Sequence, residues 1–75
     1  MKRIDMSLTQ KILLSLYKRP ASWIRLVGWY HTVSGSAIYQ RLRYLKRQGF
    51  ILKQADNKFH ISEAGIVKLK SKGVL

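Results

Sequence analysis

The stretch "SGSAIYQRLRYLKRQGFI", Ser34 to Ile51, carries Arg41, Arg43, Lys46 and Arg47 and no acid. Ser34 can cap a helix at its start, and Gly49 can supply the left-handed residue that ends one. Between them Ile38, Leu42 and Leu45 fall at i, i+4 and i+7, a single apolar stripe. With that stripe buried, the opposite side presents Ser36, Tyr39, Gln40, Arg43 and Arg47. Of these, Ser36, Gln40, Arg43 and Arg47 follow i, i+4, i+7 and i+11, a continuous outward ridge. A helix over residues 34–48 is expected, held by one side and free on the other.

Working back toward the N-terminus, Ser7 offers a helix cap with Gln10 three residues later as a capping-box partner. Leu8, Ile12, Leu13, Leu16 and Tyr17 recur at helical spacing, so a first helix is expected over 7–18 after a short arm, residues 1–6. Pro20 stops it, because proline disfavours helical geometry in the residue before it. Ser22 can cap a second helix over 22–30, short and rich in aromatics, with Gly28 inside it. "HTVSG" breaks the chain before Ser34.

After Gly49 the period changes from helical to alternating, and a hairpin is expected over 50–62. "FILKQ" and "KFHIS" are its strands, and "ADN" is the tip. A two-residue turn at Asp56 and Asn57 would pair Ala55 with Lys58, Gln54 with Phe59, Lys53 with His60 and Leu52 with Ile61. Leu52, Phe59 and Ile61 would then share the core face, with Lys53, Lys58 and His60 on the other. Ser62 caps a last helix over 63–72, with Ile66, Val67 and Leu69 as its apolar residues and Gly73 ending it. The expected class is mainly α with a small β-hairpin (α+β), one domain over 7–75.

Composition narrows the function. The 75 residues hold one modest core and no deep enzyme pocket. Fifteen Lys or Arg stand against Asp5, Asp56 and Glu63, a net charge of +12. Such an imbalance works against the compact state and suggests a polyanionic partner, nucleic acid first, then an anionic membrane or acidic protein. Without cysteine there are no disulfides and no thiolate metal sites. No apolar run approaches the roughly 18 residues that suggest a spanning helix. "MKRIDMSLTQ" lacks the apolar core of a signal peptide. The expected location is cytoplasmic and nucleoid-associated.

The run "VSGSAIYQRLRYLKRQGFI", followed by a hairpin and "FHISEAGIVKLK", resembles a winged helix-turn-helix domain of the small bacterial or archaeal (or viral) transcriptional regulator type. In that family a recognition helix with a Ser-rich start ends in a Gly-hydrophobic-hydrophobic triplet, here Gly49-Phe50-Ile51. The second strand of its wing ends in an aromatic-x-aliphatic-Ser/Thr unit, here Phe59-His60-Ile61-Ser62, leading into a helix that contains Gly, here Gly65. The resemblance covers about residues 7–73. It departs at Thr32, where the turn often carries glycine, and at His31, where an apolar residue is usual. Gly28 matches the small residue expected where the second helix crosses the third.

The resemblance implies the order helix, helix, helix, wing, helix, and places the N-terminal half of the third helix deepest in DNA. Ser36, Tyr39, Gln40 and Arg43 are then the base-reading candidates, since Arg can bind guanine and Gln adenine in bidentate fashion. Ser34, Arg41, Lys46, Arg47, Lys53, Lys58 and His60 are candidate backbone contacts. One such helix reads only a few base pairs, so a homodimer is expected. Its candidate contact residues are Ile66, Leu69, Val74 and Leu75. No cofactor, metal or small-molecule effector is expected. His31 and His60 alone do not make a metal site, and the three acids form no catalytic pair, so enzyme activity is not expected. A basic chain this small suits a virus, plasmid or other mobile element, which would place it in a host cytoplasm. The competing readings are a sequence-neutral architectural DNA binder, a winged helix that binds structured RNA or an acidic protein, and a basic amphipathic membrane binder.

Overall fold

A computed structural model describes residues 7–75. The arm expected over residues 1–6 lies outside the described residues. The element order is α1 (Leu8–Lys18), α2 (Trp23–Trp29), α3 (Gly35–Arg47), β1 (Ile51–Lys53), β2 (Phe59–Ile61) and α4 (Glu63–Ser71). The described residues form an α+β fold of four helices and a two-stranded antiparallel hairpin.

Each helix starts on a serine because its hydroxyl accepts an N–H that the first turn would leave unpaired. Ser7 accepts from Gln10, Ser22 from Arg25, Ser34 from Ala37 and Ser62 from Gly65. At α1 the Gln10 side chain also accepts from the Ser7 N–H, completing the capping box. Gly49 (φ 79°) and Gly73 (φ 73°) take the left-handed conformation that closes α3 and α4.

The core contains Ile12, Leu13 and Leu16 of α1, Leu26 of α2, the stripe Ile38, Leu42 and Leu45 of α3, Ile51, Phe59 and Leu69. Tyr30 follows α2 and locks it to α1: its hydroxyl donates to the Lys11 carbonyl (2.9 Å) and bonds Ser15 Oγ. Tyr30 is therefore half-buried, while Trp23 and Trp29 remain 40% and 39% exposed.

The close pass of α2 on α3 does not fall at Gly28, which has open space where a Cβ would stand. It falls at Gly35, where a Cβ would lie 3.4 Å from Trp23 and 3.6 Å from Val27. The reason is that α2 meets α3 through its Trp23 and Val27 side, which turns Gly28 to solvent.

The hairpin departs from the expected register by one residue. Ile51 pairs with Ile61, Leu52 with His60 and Lys53 with Phe59. The loop has three residues, Ala55–Asn57, because Asn57 takes the left-handed conformation (φ 64°) and Asp56 accepts the Lys58 N–H at 3.0 Å. Loops of this length with a left-handed third residue are a common hairpin solution, and asparagine tolerates that conformation. A one-residue shift turns β1 over. Ile51 enters the core, Leu52 is 42% exposed, and Lys53 joins Phe59 with its ammonium 5.9 Å from the ring centroid. The expected core position of Leu52 and the outward face for Lys53 are both corrected.

A third chain segment pairs on the far side of β2. Ala21 donates to the Phe59 carbonyl (3.2 Å) and accepts the Phe59 N–H (2.8 Å), so residues between α1 and α2 extend the sheet by one bridge. At the other end Ser62 N–H donates to the Phe50 carbonyl, and the Ser62 hydroxyl bonds the Gly49 carbonyl, tying the start of α4 to the end of α3. The hairpin is thereby held along its β2 edge and at its open end rather than left as a marginal two-stranded unit.

Candidate nucleic-acid interface

The exposed side of α3 is set by its own period. With Ile38, Leu42 and Leu45 fully buried, Ser36, Gln40, Arg43 and Arg47 stand in solvent along one ridge. All four base-reading candidates, Ser36, Tyr39, Gln40 and Arg43, are exposed. Ser34 is committed as a cap, its hydroxyl accepting from Ala37 at 3.2 Å, and its Oγ lies 3.5 Å from Ser36 Oγ, either hydroxyl able to donate to the other.

Tyr39 has two neighbours. Its ring meets Trp23 edge-on, centroids 6.0 Å apart and planes at 72°, and the Arg43 guanidinium carbon lies 6.0 Å from its centroid. Trp23 is itself held, its indole N–H donating to the Gly35 carbonyl at 3.0 Å. Tyr39 thus rests against α2 and also stays 48% exposed. The contribution of Trp23 as a support for the ridge left no signal in the sequence, because the contact spans 16 residues and joins two helices.

The backbone candidates divide into three places. Lys46 and Lys53 join Tyr39, Arg43 and Phe59 around a small cleft between α3 and the hairpin, about 130 Å³ in volume. Lys53 reaches that cleft only because of the shifted register. Arg47 lies beside it, in a shallow depression with Tyr39, Arg43 and Lys46. Lys58 lies apart, lining a groove of about 390 Å³ with Arg19, Arg25 and Asp56. His60 pairs with Asp56 at 3.0 Å and does not line the α3 cleft. Arg41 is on the opposite flank of α3, lining a third groove with Tyr44, Lys68 and Lys72.

Asp56 is the only acid in these three grooves. Its carboxyl is held below the usual carboxylate range, first by the Lys58 backbone N–H and then by the His60 ring. The hairpin tip therefore carries a persistent negative charge beside Lys58.

Of the expected dimer residues, Leu69 is fully buried within the chain and is unavailable to a partner. It packs inward because Gly65 and Leu69, at i and i+4, form the side of α4 that meets the core. Val74 is half-buried against the same core, Ile66 is half-buried, and Leu75 is 44% exposed.

Among the described residues, no helix is long and apolar enough to cross a membrane, and no three His, Cys, Asp or Glu side chains could hold a metal ion. Compared with protein-family models, curated proteins and solved structures, the chain matches none.

Proposed function

We propose that this chain is a winged-helix protein that binds double-stranded DNA, with α3 in the major groove and the hairpin against the backbone. The observation that carries the reading is the division of α3: three fully buried aliphatics on one side, and Ser36, Gln40, Arg43 and Arg47 exposed on the other without an acid. An α-helix fits the major groove, and these side chains have the donors and acceptors that distinguish base pairs. The chain order and the hairpin that follows α3 and packs beside it support the winged-helix part of the reading. We take the working form to be a homodimer acting as a transcriptional regulator, since one such helix contacts too few base pairs for a unique site.

Selection of bound sequences from a random duplex pool tests the reading. A defined motif, palindromic for a dimer, is expected. No enrichment would indicate a sequence-neutral architectural binder, and preference for RNA in competition would redirect the surface to structured RNA. On the selected site, Arg43→Ala should cost about 1–3 kcal/mol and relax preference at one base pair, whereas Lys58→Ala should weaken all duplexes alike. Equal behaviour of the two variants would remove α3 as the reader.

A further inference from the structure

The groove on the α1 and α4 side of α3 lies apart from both the hairpin and the Tyr39–Arg43 cleft. It encloses about 330 Å³ between the start of α1, the middle of α3 and the end of α4. Its cations are Arg41, Lys68 and Lys72, and no acidic side chain lines it. Lys68 lies in the last turn of α4 and Lys72 is the residue that caps the helix, four positions on, with its N–H bonded to the Lys68 carbonyl, so the two stand on one flank of the helix end. The Lys68 ammonium sits 5.7 Å from the Phe50 ring centroid, which holds it at the groove edge. The first turn of α1, whose Thr9 and Gln10 also line the groove, contains no acid.

The placement of this groove matters more than its charge. At about 3.6 residues per turn, Arg41 stands about 200° around α3 from Tyr39, so the two lie on opposite sides of the helix, Arg41 set back toward the body where the lip of a groove that takes the ridge would fall. The Tyr39 flank already has Lys46 and Lys53 beside it. The Arg41 flank has Lys68 and Lys72. A helix with its side chains is roughly 10–12 Å across, and the major groove is about 12 Å wide, so a helix lying in it brings both flanks against phosphate walls.

We infer that Arg41, Lys68 and Lys72 form a second phosphate clamp, so that α4 grips the duplex wall opposite the one met by the hairpin. This rests on α3 lying in the major groove. It makes the Lys68–Lys72 flank of α4 a DNA contact, where the sequence had suggested that α4 serves dimerisation. The clamp recognises the regular spacing of phosphates and carries no base preference.

The test measures duplex affinity at several salt concentrations for the full chain, Lys68→Ala/Lys72→Ala and the single variant Lys72→Ala. Circular dichroism and sedimentation confirm fold and mass. The double variant should bind the selected site and a scrambled duplex more weakly by the same factor. Its dependence of log K on log salt should be shallower by about 1–2, as expected for one or two lost phosphate contacts. Lys72→Ala, at an exposed position, should show about half that change and covers the case in which the double variant folds poorly. An unchanged salt slope in both variants overturns the clamp while leaving the DNA reading intact. A fall in sedimented mass with unchanged slope overturns it in favour of a subunit contact. Failure of the unsubstituted chain to bind duplex at all would instead remove the reading on which the clamp stands.

Discussion

Asp56 shows how one side chain shapes the hairpin. One carboxylate oxygen accepts the Lys58 N–H at 3.0 Å, and the other meets His60 Nε2 at 3.0 Å. The carboxyl therefore has a lowered pKa, owing first to the Lys58 amide and next to His60, with the Lys58 charge adding a smaller effect. A group whose folded pKa is depressed adds stability above its unfolded pKa and loses it as pH falls through the folded one. The tip should thus keep its geometry through mildly acidic pH and loosen only below the ordinary carboxylate range. The Lys58 amide resonance, followed by NMR, should titrate with a midpoint below that of an unstructured aspartate. Asp56→Asn should abolish the titration, since the amide carries no ionisable proton.

Among the elements, α4 is constrained by a close backbone approach at Gly65. Its Gly65 approaches the Phe50 carbonyl so closely that an added Cβ would overlap the carbonyl oxygen, and it would stand 2.7 Å from Ile61 Cγ1. Backbone cannot yield as a flexible side chain can, so the cost is that of overpacking, about 1–3 kcal/mol. Gly65→Ala should lower the thermal midpoint by several degrees, at about 4–8 °C per kcal/mol for a domain of this size. Gly28→Ala, in open space within α2, should be neutral or slightly stabilising by helix propensity. Opposite signs for the two substitutions in one melting series would confirm which glycine makes the close packing contact. The sequence marked both positions as glycines inside helices and gave the close-packing role to Gly28, where the structure leaves open space.

For the molecule as a whole, the core and the charge are separate designs laid over one chain. Leu69 belongs to the first. Leu69→Ala should destabilise folding by about 2–5 kcal/mol and leave the sedimented mass of the folded chain unchanged. A residue at a subunit interface would show the reverse pattern. The cations belong to the second design, and nine of those on the described residues line three grooves around the hairpin and the sides of α3. If several of them meet phosphates together, binding must fall steeply with salt, about 0.9 in log K per log salt for each contact.

The helices were determined by the sequence itself. Their starts depend on Ser7, Ser22, Ser34 and Ser62, whose capping hydrogen bonds are local, and their inward faces on a 3.6-residue period that is written in the chain. The exposure of Ser36, Gln40, Arg43 and Arg47 follows from that period once Ile38, Leu42 and Leu45 are buried. The hairpin register required the tertiary structure, because two- and three-residue loops fit the same "ADN" tip, and the choice depends on whether Ile51 or Leu52 is buried. So did the bridge from Ala21 to Phe59, the support of Tyr39 by Trp23, and the gathering of Lys68 and Lys72 beside Arg41. Each of these joins residues far apart in the chain. Sequence periodicity reports which side of an element is apolar, but not which other element will meet it.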